Sequence, residues 1–182
     1  TYANIDNIKP TGKAFNSELP VNPLDRWLLS ITQKLKSDVS VALDNYDLSG
    51  AIDPIIAYID QLNNWYIRRS RRRFWKSEND SDKNEAYESL YIALKTFAQV
   101  AAPVIPFITE SIYLNLRNEN DAESVHLCDY PVYNEKFRDE QLEFKMDTVQ
   151  KAVSMGRSLR YQYNLKIRQP LKQESLCSMF LL

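Results

Sequence analysis

Glycine is nearly missing: Gly12, Gly50 and Gly156 are the only three in 182 residues. A loop that cradles phosphate on bare backbone amides therefore has nothing to be made from. Histidine is scarcer still. His126 stands alone, with no Cys, Asp or second His at metal-binding spacing, and reads as a structural residue in an extended segment. Cys128 and Cys177 make neither a metal motif nor a disulfide framework, which fits a reducing compartment. No apolar run reaches the roughly 18 residues that cross a bilayer, and no basic start followed by an apolar stretch resembles a signal peptide. These absences predict a soluble, cytoplasmic chain with no catalytic residues, no metal site and no cofactor of its own.

The residues that are present favour helices. The chain is 44% hydrophobic and 26% charged, enough to bury the core of one globular domain with a small appendage. Leu, Ile and Ala recur in segments of helical length, so the composition leans all-α. The net charge is -1 and the pI about 5.9, giving no general attraction for nucleic acid. That average conceals a segregation. Arg68, Arg69, Arg71, Arg72, Arg73 and Lys76 stand together without an acid, so this stretch carries +6 and the remainder of the chain -7. The chain begins at Thr1 without Met and stops in the apolar run Cys177 to Leu182, which suggests a piece of a longer protein.

Along the chain, residues 1–21 show little periodicity and read as an irregular lead-in. Asn22 is placed to cap a first helix with Pro23 at its first position and Asp25 in its first turn, and Trp27, Leu28, Ile31, Leu35, Val39 and Leu43 continue it to about Asn45. After the turn at Asp47, Ser49 and Gly50, the residues Ile52, Ile55, Ile56, Ile59, Leu62, Tyr66 and Ile67 predict the core face of a second helix to about Trp75. Pro54 falls near its start, either in the first turn with Asp53 as cap or as a kink. Ser77 to Asn84 reads as a loop. A third helix follows from about Glu85 to Ala101. Pro106 opens a fourth, with Phe107, Ile108, Ile112, Tyr113 and Leu116 as its apolar face. Short connections make an antiparallel helix bundle over residues 22–120 the economical arrangement. Residues 121–182 look like a junction: Ser124 to Tyr130 extended, Asp139 to about Tyr163 a fifth helix, and Leu165 to Arg168 a strand stopped by Pro170.

The informative stretch is Asn63 to Trp75. A wheel at 100° per residue places Ile55, Ile59, Leu62, Tyr66, Arg73 and Phe74 within about 80° of Ile52. Trp65, Arg68, Arg71, Arg72 and Trp75 fall on the opposite side, and Trp65, Arg68, Arg72 and Trp75 form one outward ridge. Exposed tryptophans among like charges at i, i+3 and i+4 call for an acidic cover. Arginine forks fit phosphate oxygens and aromatic faces accept unstacked bases, so a structured RNA satisfies both features. The other reading packs the ridge on a neighbouring domain or an acidic partner helix, with the arginines paired to carboxylates and the tryptophans as anchors. Arg73 lies inward and is expected to pair within the chain, with an acid such as Asp25. A second positive, aromatic area comprises Arg157, Arg160, Tyr161, Tyr163, Lys166 and Arg168, and either extends an RNA surface or faces a further domain.

Asn64-Trp65-Tyr66-Ile67-Arg68 followed by Arg71-Arg72-Arg73-Phe74-Trp75 closely resembles the signature of the anticodon-binding domain of isoleucyl-tRNA synthetases. Matches in the same order surround it: Tyr2 to Asp6, Leu24-Asp25-Arg26-Trp27, Ala102-Pro103 through Pro106-Phe107 with Thr109-Glu110, Ser124-Val125-His126, and Lys166 to Leu171. Valyl, leucyl and methionyl enzymes share the bundle; the arginine run and the Lys-Ile-Arg-Gln-Pro-Leu ending look isoleucyl. The resemblance implies a helical domain that docks along the anticodon stem and loop of isoleucine tRNA, with Trp65, Arg68, Arg71, Arg72, Trp75 and Lys76 as candidate tRNA-binding residues. It also implies that the parent enzyme attaches isoleucine using ATP and Mg in separate domains, with zinc, where present, outside this chain. The nucleotide-binding signatures of that family, a His-rich motif and a lysine–serine loop, are absent. A lone His126 leaves no imidazole pair to stabilise ATP's phosphates, so activation is expected elsewhere.

Overall fold

A computed structural model describes residues 10–12, 15, 19–76 and 80–170. The chain divides at Asp139/Glu140 into two compact units. The first unit contains helices α1 (Pro23–Asp44), α2 (Leu48–Asp60), α3 (Arg68–Lys76), α4 (Asp80–Ala101) and α5 (Pro106–Leu116). A π-helical segment, Gln61–Ile67, joins α2 to α3 without a break.

The expected cap of α1 is present: the Asn22 side chain accepts the Leu24 amide at 2.9 Å, and Pro23, which lacks an N–H, takes the first turn. Contacts between helices run in opposite order along paired elements. Tyr66 meets Asp25 whereas Tyr58 meets Thr32, so α1 and the α2–α3 rod are antiparallel. Arg73 meets Asp82 and Tyr58 stacks on Phe97, so α4 runs back along that rod. Asn118 reaches Tyr91 while Tyr113 packs on Ala98 and Ala102, which returns α5 along α4. The core lies between these helices, with Trp27, Leu28, Val39, Tyr66, Val100 and Tyr113 among its fully buried side chains. The bundle is therefore all-α and antiparallel, as expected.

Several local expectations are corrected. Asp47, not Asp53, caps α2: its carboxylate accepts the Gly50 amide at 2.8 Å, and a Cβ at position 50 would run into that carboxylate. Pro54 lies inside α2. Ile52, Ile56 and Ile59 are exposed; Ile55, Leu62 and Tyr66 lie inward as expected, joined there by Ala51, Tyr58 and Ser70. In a regular helix a step of four carries a residue about 40° round the axis; the π segment has wider turns, so Leu62, Tyr66 and Ser70 stay buried at that spacing. Helix α4 begins at Asp80, inside the expected loop, with Asp82 tied to Arg73. On α5, Phe107 is 92% exposed and Ile108 is exposed; Thr109 and Tyr113 hold the inward side.

Beyond α5, Val125–Leu127 is a short 3-10 turn in the stretch expected to be extended. Glu110 fixes it by accepting from the Ser124 hydroxyl at 2.9 Å and the Val125 amide at 2.8 Å. A second 3-10 turn, Glu135–Phe137, is held against α1 through Gln33, which accepts the Asn134 amide, and Ser30, which accepts the Asp139 amide. The second unit contains α6 (Glu140–Gln162), close to the expected fifth helix. Leu165 to Arg168 is not a strand but a turn, and among the described residues no strand occurs. Its alternating pattern has no partner edge to pair with; the Arg160 guanidinium takes up its carbonyls instead. Among the described residues no helix is long and apolar enough to cross a membrane, and no cluster of three His, Cys, Asp or Glu could hold a metal ion.

Candidate nucleic-acid interface

Helix α3 has nine residues, of which five are arginine. So short a helix is marginal by itself, and arginines at i, i+3 and i+4 repel one another. It must be held from outside. Continuity with the π segment supplies one support, and the packing of Phe74 on Tyr87, with ring centroids 5.0 Å apart, supplies another.

The main support is a charged cluster on the inner side. Arg73 donates from Nη1 to Asp25 Oδ1 at 2.8 Å and from Nη2 to Asp25 Oδ2 at 2.7 Å, the two-pronged geometry expected of guanidinium and carboxylate. Its Nε donates to Asp82 Oδ2 at 2.8 Å and its Nη2 to Asp82 Oδ1 at 2.6 Å. The Tyr66 hydroxyl donates to Asp25 Oδ1 at 2.7 Å. Asp25 is 0% exposed, so these donors stand in for the water that burial removes from its oxygens. Burial works against the Arg73 charge, but the bonds to Asp25 and Asp82 outweigh it and hold its pKa above the ordinary guanidinium value. The bond from Arg73 lowers the pKa of Asp82. Burial, followed by the adjacent Asp25 charge, raises that of Tyr66 well above the phenol range. The expected Arg73–Asp25 pair is thus present. Asp82 and Tyr66 were not foreseen as members of the cluster; their signal is the buried acid itself, which needs more donors than one arginine brings.

The outer side contrasts with this. Arg68, Arg69, Arg71 and Arg72 are exposed, and Trp75 is 63% exposed. Among the described residues no carboxylate pairs with Arg68, Arg71 or Arg72. Trp65 departs from the expected ridge. It is half-buried, and the Arg69 guanidinium lies 3.8 Å from its ring centroid. Sequence reasoning passed over Arg69, although its i+4 spacing from Trp65 was the signal for a cation over an aromatic face. The side chain of Lys76 lies outside the described residues. The structure therefore brings Arg68, Arg71, Arg72 and Trp75 together on one exposed side of α3 and sets Trp65 beneath Arg69 beside them. Such a surface offers guanidinium forks to phosphates and one exposed indole to a base.

Comparison with known proteins agrees with this chemistry. Residues 25–175 match the family model described as the anticodon-binding domain of tRNA ligase. The chain is similar to a protein named isoleucine–tRNA ligase from Treponema denticola, 67% identical over 94% of this chain and 16% of that protein. Proteins of the same name from Treponema pallidum and Protochlamydia amoebophila are 58% and 46% identical over 94% and 98% of this chain. The chain spans only 16–17% of the length of these curated relatives. With more than half of its residues, the whole α3 surface included, inside the matched domain, the chain belongs to the family of anticodon-binding domains of tRNA ligases.

Proposed function

We propose that this chain is the tRNA-contacting domain of an isoleucine–tRNA ligase, a cytoplasmic enzyme that attaches isoleucine to its tRNA with ATP and Mg in domains outside residues 1–182. Residues 1–21 then lead in from the catalytic region, and residues 121–182 lead toward a further C-terminal domain. The observation that carries the reading is the exposed side of α3, where Arg68, Arg71 and Arg72 meet no described carboxylate and stand beside the exposed Trp75. Arg68, Arg71, Arg72 and Lys76 serve as phosphate contacts along the anticodon stem and loop of isoleucine tRNA. Trp75 offers a stacking face, and Trp65 supports Arg69. Phosphate contacts of this kind position the RNA and carry little base readout.

The test is tRNA binding by Arg68→Ala combined with Arg72→Ala. Affinity is expected to fall, and the dependence of log K on log salt to become shallower by about one unit per arginine. Unchanged affinity and slope would assign the ridge to contact with another domain of the same parent chain.

A further inference from the structure

From Ala152 to Pro170 the chain carries Arg157, Arg160, Lys166 and Arg168 and no acidic residue. The attraction of cations to a helix C-terminus accounts for Arg160, which lies in the last turn of α6. It does not account for Arg157, more than a turn before the helix end, or for Lys166 and Arg168, which lie beyond the helix. The way α6 ends shows what else they share. Asn164 adopts φ +53 and reverses the chain, with the Leu165 amide donating to the Arg160 carbonyl at 2.8 Å. Arg160 Nη1 then reaches the carbonyl oxygens of Lys166, Ile167 and Gln169 at 3.0, 3.3 and 2.8 Å. One guanidinium thus organises the turn from within and leaves its side chains pointing away.

Those side chains are exposed. Tyr161 is 88% and Tyr163 68% exposed, and Arg157, Lys166 and Arg168 are exposed with them. Arg157 and Tyr161 share one face of α6 at i and i+4. Among the described residues no carboxylate pairs with Arg157, Lys166 or Arg168, and neither tyrosine hydroxyl has a partner. An acidic protein surface would use the cations and leave two aromatic rings in water. Duplex RNA would meet the cations but offer no free base face, because its bases are stacked. A single-stranded stretch of RNA uses both. We propose that the end of α6 and the turn at 163–168 form a second RNA contact, in which Tyr161 and Tyr163 stack on unpaired bases while Arg157, Lys166 and Arg168 meet phosphates. The inference rests on the tRNA reading above and adds to it a surface and a class of RNA segment.

The test measures binding of this chain to an isoleucine tRNA transcript, to a short single-stranded RNA and to a duplex RNA of equal length over a salt series. Arg157→Ala with Arg168→Ala is expected to weaken tRNA binding roughly tenfold and to lower the salt slope by about one unit per arginine. Tyr161→Leu with Tyr163→Leu is expected to weaken the single-stranded RNA at least about fivefold and to leave the duplex unchanged. Because all four positions are exposed, circular dichroism should keep its helical signal; Lys166→Ala with Arg168→Ala, outside the helix, repeats the charge test without touching α6. If these variants bind every RNA as the unaltered chain does while Arg68→Ala with Arg72→Ala loses affinity, the second contact is overturned and the α3 reading stands. If the unaltered chain shows no salt-dependent tRNA binding, both fall.

Discussion

Arg72 and Arg73 are neighbours on one helix and do opposite work. Arg73 is largely enclosed, and two carboxylates meet its charge. Arg72 lies in solvent and has no described carboxylate partner. The inner side of α3 therefore belongs to the fold and the outer side is available to a ligand, although the residue types are the same. Basic residues in a run cannot be given a role by type or by count; the role follows from which of them a buried acid has claimed.

Substitutions that unpair the inner side should have the largest effect. Arg73→Ala leaves Asp25 buried with Tyr66 as its remaining side-chain donor, and should cost about 3–5 kcal/mol in urea unfolding; a loss under about 1 kcal/mol would show that Asp25 is not sealed from water. Replacing both partners, Asp25→Leu with Arg73→Met, should recover much of that loss, because two apolar groups leave no orphan charge. Tyr66→Phe removes one hydrogen bond to a carboxylate and should cost about 1.5–3 kcal/mol. On the outer side, Arg69→Ala loses a stacked cation, worth about 0.5–1 kcal/mol. Arg68→Ala with Arg72→Ala should move stability by no more than about 0.5 kcal/mol while changing RNA binding, the clearest separation of the two faces.

The two faces should also differ in their response to pH. The pKa values of Tyr58 and Tyr66 are raised by burial, so their contribution to stability is complete below about pH 10 and is lost as the pH rises beyond it. The pKa of Asp82 is lowered, so its contribution is present above about pH 4 and is lost on acidification below that. Urea midpoints measured across the pH range should show both limits and a plateau between them, with tyrosinate absorbance marking the alkaline one. Removing exposed arginines of α3 should move neither limit.

Much of this was legible because it depends on local rules. The Asn22–Pro23 start, the extent of α1 and the inward turn of Arg73 follow from capping chemistry and helical period. The misplaced isoleucines have a definite cause: Ile52, Ile56 and Ile59 all lie within regular α2, a wheel centred on Ile52 starts from a residue that is itself exposed, and a stretch rich in isoleucine looks buried whichever side it presents. The early start of α4 was hidden because Asp82 serves a residue nine positions back, a tertiary bond with no local signature. Leu165 to Arg168 alternates as a strand does, but pairing needs a second edge, and that condition cannot be read from four residues. For the candidate site, the outward arginines and Trp75 were legible from the wheel, whereas the cover of Arg69 over Trp65 depends on a rotamer.

The link from Arg73 to Asp25 ties the cationic helix to the first turn of α1, 48 positions earlier in the chain. Left unanchored, a nine-residue segment bearing five like charges would fray, and any polyanion would have to order it on arrival. Anchored, its guanidinium groups already stand on a fixed backbone, so the entropy of arranging them is lost during folding rather than during association. The outward face can therefore engage a partner without first being ordered, because its backbone is already in place.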